Sequence, residues 1–410
     1  MVGVALLTQA IAVGLSIYLY PVFMDAFERE FSLTRSQSSL GISLVMLAGA
    51  FVGPLIGHRI DTGSPKTTMC AGGLMIGAGL ILVSQSSSLL IAATAWTVCV
   101  GIGQAMLGPI PSMAVLANWF VERRGTMIAI AAMGTSLGGA VVPLISSSLI
   151  TWGDWRFALL VLGLTCIALS TLVTLFGVIK NPAAVGHYPD GRSEPIAQAE
   201  TVDGSRLRNR ILLEVRFWTV ALSFAIIGAT VIVILTHMIP WATEKGFARQ
   251  DAARLLALAA MVPIPGKIFF GYLNDRIGPK AATIIAVTGM SVGWFLLRGT
   301  SDYWLFASSL CLFFFAMSAA LPCEAGFIGR IWGTRQFGFI MGLMYLVTTS
   351  LILVGPLSVG VAFDMRGSYR DPMLVVQLVL LLPLAMLGPL HLGDNDPGKI
   401  IKSGAGSDPR

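Results

Sequence analysis

Long apolar runs alternate with short polar segments along this chain. An α-helix of about 20 apolar residues crosses the ~30 Å hydrocarbon layer of a bilayer, because each residue rises by about 1.5 Å. The runs are long enough for this. The pattern therefore predicts twelve membrane-spanning helices, at approximately residues 2–24, 36–57, 67–85, 89–116, 126–150, 157–179, 217–240, 253–273, 281–298, 303–328, 338–360 and 372–392.

The twelve predicted spans form two sets of six, separated by one longer polar segment. In that segment Pro, Gly, Ser, Asp and Arg replace the apolar run, so it is predicted to be a loop. We divide the chain into an N-terminal six-helix bundle (1–179), a central loop (180–215), a C-terminal six-helix bundle (216–392) and a polar tail (393–410) predicted to be disordered. The expected fold class is an all-α integral membrane protein.

Composition agrees with this class and excludes others. Hydrophobic residues make up 55% of the 410 residues and charged residues 12%, with a mean hydropathy of +0.79. An ordinary soluble domain carries roughly 25% charged residues. The net charge of +6 is spread over short loops, so nucleic acid is not an expected partner. The sequence has no His-Glu-x-x-His metal motif and no P-loop, and neither an enzyme activity nor a cofactor is expected.

The basic residues indicate how the helices are oriented. Connections after even-numbered spans, together with the tail, hold seventeen of the 27 Lys and Arg residues, and the opposite connections hold nine. The remaining one, Lys267, lies inside a predicted span. Positive residues are enriched on the cytoplasmic side, so both termini and the central loop are predicted to be cytoplasmic. The expected location is a multi-pass membrane protein, in the inner (plasma) membrane if the chain is bacterial.

One motif occurs twice, in the connections after the second and eighth spans. Residues 57–66 read Gly-His-Arg-Ile-Asp-Thr-Gly-Ser-Pro-Lys, and residues 271–280 read Gly-Tyr-Leu-Asn-Asp-Arg-Ile-Gly-Pro-Lys, at an offset of 214. A fixed offset of half the chain length indicates two structural repeats, which is typical of secondary transporters. Further landmarks repeat at an offset of 213, namely Pro109 with Pro322, Gly125 with Gly338, and Pro143 with Pro356.

The second copy of this motif resembles in full the loop signature of the major facilitator superfamily, Gly-x-x-x-Asp-Arg-x-Gly-x-(Arg/Lys). In that family the aspartate latches the cytoplasmic helix ends in the outward-open state, and a carboxylate can accept hydrogen bonds from a helix N-terminus. The first copy has Thr62 in place of the arginine, which leaves open whether both halves latch alike. The resemblance implies the twelve-helix fold of two pseudo-symmetric bundles and a conformational gate formed by Gly57, Asp61, Lys66, Gly271, Asp275, Arg276 and Lys280.

Three further stretches resemble the monocarboxylate and oxalate/formate transporter group. Residues 118–125 read Asn-Trp-Phe-Val-Glu-Arg-Arg-Gly, residues 134–139 read Gly-Thr-Ser-Leu-Gly-Gly, and residues 363–369 read Phe-Asp-Met-Arg-Gly-Ser-Tyr. That group carries small organic carboxylates by alternating access. The resemblance implies a secondary active transporter for a small organic anion, a mono- or dicarboxylate, working by proton symport or anion exchange.

Lys267 lies in the eighth predicted span, ~6 Å from its middle. A cation at this depth costs about 2.5–3.5 kcal/mol and normally faces a cavity or a partner, such as a substrate carboxylate. Relatives in the monocarboxylate group carry a basic residue four positions before the motif glycine, as Lys267 does before Gly271. The alternative is a side chain that extends to the membrane surface. Pro263 stands where proton-coupled relatives often have an acid, so no acid–base pair is expected in this helix.

Helices 1, 4, 7 and 10 line the cavity in this superfamily. The resemblance therefore implies Tyr18, Gln104 and His237 as further substrate-binding residues, and Glu324 as a coupling residue, since a carboxyl in an apolar environment can carry a proton. Glu324 could instead pair with Arg330. Two other functions stay open: a carrier for a larger amphipathic compound, by efflux or vitamin-type uptake, or a non-transporting membrane ligand sensor. Membrane lipid is the other expected partner, and the protein is expected to function as a monomer.

Overall fold

The computed structural model describes residues 1–191, 210–259 and 261–391, which fold into helices without any strand. In chain order the long helices are α1 (Val2–Phe31), α2 (Arg35–Thr62), α3 (Pro65–Gln85), α4 (Leu89–Trp119), α5 (Arg124–Trp152), α6 (Trp155–Gly177), α7 (Val215–Glu244), α8 (in two segments, Arg249–Ala259 and Pro263–Ile277), α9 (Pro279–Gly299), α10 (Tyr303–Ile331), α11 (Phe337–Arg366) and α12 (Arg370–Leu387).

Eleven of these described helices are long and apolar enough to cross a membrane, and α8 is the exception. The sequence predicted one continuous span over 253–273, whereas α8 is split between Ala259 and Pro263. Pro263 and Pro265 have no N–H group to donate to the preceding turn, so they fit best in the first turn of a helix, where that donor is unpaired in any case. The count of twelve spans and the cytoplasmic position of the termini stay predictions. Most of the predicted central loop (192–209) and the whole predicted tail lie outside the described residues.

Helices α1–α6 form one half of the molecule and α7–α12 the other. In the N-terminal half α3 packs along α4 and α6, and α1 along α5; in the C-terminal half α7 packs along α11 and α12, and α9 along α10 and α12. One buried hydrophobic cluster lies within the N-terminal half, and a second fills the C-terminal half and continues across to Ile56 and Met113. The halves meet mainly along two helix pairs, α2 with α11 and α5 with α8.

Helices α4 and α10 are interrupted beside prolines that the repeat relates. Gly108 leaves helical geometry (φ −81°, ψ −141°) just before Pro109, and α10 is interrupted between Met317 and Ala320, just before Pro322. Proline removes a backbone hydrogen bond, which permits such bends in a membrane helix. In addition, α1 contains a π-helical turn over Gly14–Tyr18, and such turns occur mostly at functional sites.

Glycines bring the two halves into backbone contact. A Cβ atom at Gly57 of α2 would lie 1.9 Å from the carbonyl oxygen of Gly338 in α11, and one at Gly271 of α8 would lie 2.8 Å from that of Gly125 in α5. Small residues allow this close approach between membrane helices. These contacts lie at the end of the molecule that carries the α2–α3 and α8–α9 connections. We call it the motif end, and these contacts close it.

Replacing Gly57 by alanine is expected to destabilise this closed packing by about 1–3 kcal/mol, since the added methyl group meets backbone that cannot rotate away. Thermal unfolding of the purified protein measures the effect. Alanine at Gly53, whose Cβ would lie 3.1 Å from the Gly342 carbonyl, should cost less, and alanine at Gly3, which has open space, should cost nothing. Equal melting temperatures for the Gly57 and Gly3 variants would contradict the contact.

Candidate functional site

The two motif aspartates make equivalent contacts across the interface between the halves. Asp61 accepts hydrogen bonds from the backbone N–H groups of Gly338 (2.9 Å) and Phe339 (2.8 Å) at the start of α11. Asp275 accepts from the N–H groups of Gly125 (2.6 Å) and Thr126 (2.8 Å) at the start of α5, and from the Thr126 hydroxyl (2.7 Å). In each half a carboxylate thus binds the N-terminus of a helix in the other half, where unpaired N–H groups and the helix dipole favour negative charge.

Other predicted gate residues do not cross this interface. The Arg276 guanidinium lies over the Tyr272 ring, 5.1 Å from its centroid. Lys280 donates to the carbonyl oxygens of Gly388 (2.6 Å) and Leu390 (3.0 Å), which ties the start of α9 to the end of α12. Lys66 lies half-buried in the first turn of α3. The contacts of Arg276 and Lys280 are local to the C-terminal half.

Gly278 of the second motif needs to be glycine, because its backbone has a positive φ of 86°. The position at the same offset in the first copy is Ser64, at φ −101°, because the glycine of that copy stands one position early, at Gly63. The two copies of the motif therefore share the aspartate contact and differ in the turn that follows it. The sequence left open whether both halves latch alike, and the structure gives both aspartates the same kind of contact.

Lys267 also bridges the halves, farther from the motif end. Its ammonium group donates to the Ala132 carbonyl (2.8 Å), the Thr135 hydroxyl (3.0 Å) and the Ser136 hydroxyl (2.9 Å), all in α5. The residue is only 7% exposed. All three ammonium hydrogens have neutral acceptors, and no carboxylate of the described residues pairs with this charge. The side chain points across the interface, not toward the membrane surface.

Tyr18 contacts the same face of α5. Residues 132, 135, 136 and 139 are spaced so that their side chains form one stripe along a helix. The Tyr18 ring covers Gly139, where a Cβ would lie 2.8 Å from it. Gly139 is three residues beyond Ser136, an axial rise of ~4.5 Å. The structure therefore brings Tyr18 and Lys267 to neighbouring positions on one stripe of α5.

Gln104 lies at the contact of α4 with α11. The Tyr345 side chain lies beside both Gln104 and Thr349. The amide oxygen of Gln104 and the hydroxyl oxygens of Thr348 and Thr349 are buried; the Tyr345 hydroxyl is close enough to interact with Gln104 and Thr349, whereas the Thr348 hydroxyl has no hydrogen-bond partner within the described ranges. A buried polar group without a partner costs about 1–3 kcal/mol, so such groups in a native structure require an explanation. A polar ligand that reaches this layer would satisfy them.

Glu324 lies in the second segment of α10 and is 7% exposed. Asn274 of α8 contacts the opposite face of this segment, since it donates to the Pro322 carbonyl (3.1 Å) and lies against Gly326. Neither a hydrogen bond nor an ion pair engages the Glu324 carboxyl in the part of the chain that is described, and it does not pair with Arg330 or Lys267. Glu324 is therefore a buried acid without a partner.

His237 is held within the C-terminal half, away from Lys267. One ring nitrogen lies 3.2 Å from the Tyr369 hydroxyl and the other 3.0 Å from the Pro356 carbonyl oxygen. Tyr369 belongs to the 363–369 stretch, and Glu244 binds that stretch as well, through the Ser368 hydroxyl (2.5 Å) and the Tyr369 N–H (2.9 Å). This stretch thus attaches the α11–α12 connection to the end of α7. Both ring nitrogens therefore contact groups of α11 and the connection after it, whereas Lys267 contacts α5.

Sequence reasoning missed Thr135, Ser136 and Tyr345 as candidate site residues. Thr135 and Ser136 stand between the glycines of the 134–139 stretch, where two adjacent hydroxyls are the only polar side chains in an apolar run. That local signal was available. Tyr345 lies in the middle of α11 with no distinguishing pattern, and only the packing of α4 against α11 shows its relation to Gln104.

The fold and these contacts define a helical membrane protein whose two halves meet around a buried, charged and polar layer. The family model of the Major Facilitator Superfamily matches residues 6–356 and, in a second match, 239–407. The chain belongs to the major facilitator superfamily. This is a family of transporters, so the protein is not an enzyme.

Relatives and solved structures agree with this assignment. The chain is 25% identical over 408 residues to monocarboxylate transporter 12 of Rattus norvegicus, covering 94% of this chain and 82% of that protein. It is 23% identical to an uncharacterized major-facilitator transporter of Bacillus subtilis strain 168, covering 89% of each. The E. coli fucose:proton symporter shares the fold, with a TM-score of 0.72 at 14% identity over 95% of this chain and 98% of that one. The human organic anion transporter TETRAN does so with a TM-score of 0.68 at 16% identity, over 94% and 97%.

Proposed function

We propose that this protein is a secondary active transporter that moves a small organic anion, a mono- or dicarboxylate, by alternating access. Lys267 is the observation that carries this proposal. Its ammonium lies buried between the two halves, and only neutral oxygens surround it. A buried charge without a counter-charge is costly, and a substrate carboxylate would supply that counter-charge. The monocarboxylate transporters among the relatives make a carboxylate the natural first choice.

The surroundings of Lys267 suit a carboxylate. The Ser136 hydroxyl accepts from the ammonium and retains its own hydrogen to donate to an anion, whereas the Thr135 hydroxyl donates its hydrogen to the Ala132 carbonyl (2.8 Å). Tyr18, beside Gly139, adds a ring and a hydroxyl on the same stripe. We assign Lys267 the role of counter-ion, Thr135 that of positioning its ammonium, and Ser136 and Tyr18 that of orienting the cargo. Gln104, together with Tyr345, would contact the rest of it.

Alternating access needs contacts that hold one closed state and can be released. In this structure the two aspartate contacts and the glycine contacts close the motif end. Lys267 joins α8 to α5 farther from that end. Lys267 is eight residues before Asp275, a rise of ~12 Å. An anion that draws the ammonium away from α5 would weaken one of these cross-links. We therefore propose that cargo binding and opening of the motif end are coupled through Lys267.

Uptake into proteoliposomes tests the function. Labelled mono- and dicarboxylates should accumulate, whereas their methyl esters, which have the same carbon skeleton and no charge, should not. Esters and larger amphipathic compounds that are carried equally well would favour the amphipathic carrier instead. Specific binding of an acid without any accumulation would favour a ligand sensor.

Glu324 is proposed to carry the coupling proton, because a buried carboxyl without a partner is accommodated best in its neutral form. Glu324→Gln, which fixes the neutral form, should abolish accumulation driven by a proton gradient and retain exchange of labelled for unlabelled acid. Parallel measurements of gradient-driven uptake and of exchange check this. Uptake by the wild type that persists after a protonophore collapses the gradient would remove Glu324 as a proton carrier and favour anion exchange.

A further inference from the structure

A polar cavity of about 280 Å³ lies in the C-terminal half, at the end of the molecule opposite the motif end. It forms where α7 and α9 end and α12 begins. We call it the far-end cavity, and its lining consists of Trp241, Glu244, Lys245, Arg298, Arg370 and Met373. The proposed substrate site uses none of these residues.

The one carboxylate in the lining of the far-end cavity, that of Glu244, is already engaged in hydrogen bonds. Both oxygens of Glu244 accept hydrogen bonds, one from the Ser368 hydroxyl and the other from the Tyr369 N–H. No described residue forms a salt bridge with it. Glu244 therefore serves to attach the α11–α12 connection and leaves the three cations of the lining without an ion-pair partner.

The cations are held in place by neutral groups. Lys245 donates to the carbonyl oxygens of Arg298 (2.8 Å) and Thr300 (3.0 Å), which fixes its ammonium at the end of α9. One guanidinium nitrogen of Arg298 donates to the Gln377 side chain (2.6 Å). The Arg370 guanidinium has no hydrogen-bond partner in the ranges that the structure describes. Donors on Arg298 and Arg370 are thus available at the rim of one cavity.

These like charges repel one another. Arg370 lies close enough to Arg298 to act on it electrostatically. Burial lowers the pKa of the Lys245 amino group and the neighbouring charge of Arg298 lowers it further, while the Glu244 carboxylate opposes this without reversing it. Three cations around one cavity are unfavourable unless an anion enters, and arginine pairs are suited to the oxygens of a phosphate.

The apolar surface beside the cavity indicates what kind of anion enters. Phe295, one turn before Arg298 on α9, is 62% exposed, and Val375, near the start of α12, is 58% exposed. Trp304, at the same end of α10, is 77% exposed, and such aromatic residues are enriched at the level of lipid headgroups. A free phosphate would make no use of this surface, whereas the acyl chains of a lipid would cover it.

We propose that the far-end cavity binds the phosphate headgroup of an anionic phospholipid, with its acyl chains along α9 and α12. Basic pockets between membrane helices on the cytoplasmic or matrix side bind anionic headgroups, and the far-end cavity presents the same chemistry at the end predicted to be non-cytoplasmic. The bound lipid would neutralise the repulsion among Lys245, Arg298 and Arg370. It would also join the ends of α7, α9 and α12, which bound the cavity.

Native mass spectrometry of the full chain, released from detergent after incubation with phosphatidylglycerol or with zwitterionic phosphatidylcholine, tests this. The wild type should retain phosphatidylglycerol about tenfold more than phosphatidylcholine, and Arg298→Gln combined with Arg370→Gln should remove that preference. Arg370→Gln alone, at an exposed side chain, should reduce it without affecting folding. Arg370→Lys should restore part of it. The matched control is Arg254→Gln, because Arg254 is exposed on α8 and pairs with Asp251 away from the cavity.

Equal retention of the two lipids, or an undiminished preference in both Arg370→Gln and the double variant, would overturn the proposal. Adding millimolar inorganic phosphate before analysis distinguishes a lipid site from a site for a free oxyanion. Displacement of phosphatidylglycerol by phosphate would show a site for a free oxyanion and reject the lipid, whereas retention supports it.

Discussion

Replacing Lys267 by glutamine is expected to lower accumulation of the transported acid strongly, while Lys267→Arg retains more of it. Glutamine can still donate to an oxygen of α5, but it has no positive charge for a carboxylate. A hydrogen bond to a charged group contributes about 1.5–3 kcal/mol, so the loss corresponds to roughly a tenfold to hundredfold fall in transport efficiency. Initial rates of labelled acid uptake into proteoliposomes, over a range of concentrations, measure it.

Two controls separate this role from a structural one. Arg249→Gln removes an exposed cation from the other segment of α8 and should leave uptake unchanged. Thr135→Val removes a neutral acceptor of the ammonium and should raise the concentration needed for half-maximal uptake, without abolishing transport. Unchanged rates in both Lys267 variants would reject the role of counter-ion, and only the generic carrier would remain.

The second large effect is expected from the aspartate contacts: Asp275→Asn should shift the protein toward states open at the motif end. Asp275 accepts three hydrogen bonds at the start of α5, and an amide replaces one of its acceptor oxygens with a donor that faces an N–H group. Loss of the charge also removes the attraction to the helix N-terminus. Asp61→Asn should act in the same direction, and the double variant should open further.

Double electron–electron resonance measures the opening as the distance between spin labels at Ser64 and Arg335, which are both exposed at the motif end. The labels are attached to cysteines introduced at these positions in a variant that lacks the five native cysteines. A population with a longer distance should appear in each variant. Asp154→Asn is the matched control, because Asp154 caps its own helix by accepting from the Phe157 N–H and does not cross the interface. A distance distribution identical to that of the wild type in the double variant would show that the aspartates do not hold this end closed.

The pairing of the two aspartate contacts could be predicted from the sequence, because the residues involved repeat at nearly the same offset. Asp61 and Asp275 were paired at one offset, and Gly125 and Gly338 at nearly the same offset. The structure joins these same positions crosswise between the halves. Thr62, which departs from the family signature, is compatible with an equivalent contact. The reason is that the arginine at its position in the second copy, Arg276, lies over Tyr272 and is not part of the contact.

The candidate substrate site was less predictable. The apolar run around Lys267 places it within a predicted span, but it does not show that Thr135 and Ser136, more than 130 residues away, receive its hydrogen bonds. The break in α8 is the clearest error. Pro263 and Pro265 were visible in the sequence, yet the apolar run continues through them and predicted one uninterrupted span. The contact of His237 with a substrate stays a prediction, and the sequence did not show that its ring nitrogens lie against Tyr369 and Pro356.

The attachment of α7 to α11 has a consequence for how the molecule moves. His237 fastens the two helices to each other near their ends, and Glu244 fastens the connection that follows α11. Each helix has 30 residues and is therefore ~45 Å long. We expect a helix pair clamped in this way to move as one body, so that separation of α11 from α2 at the motif end would be accompanied by movement of α7 at the far end.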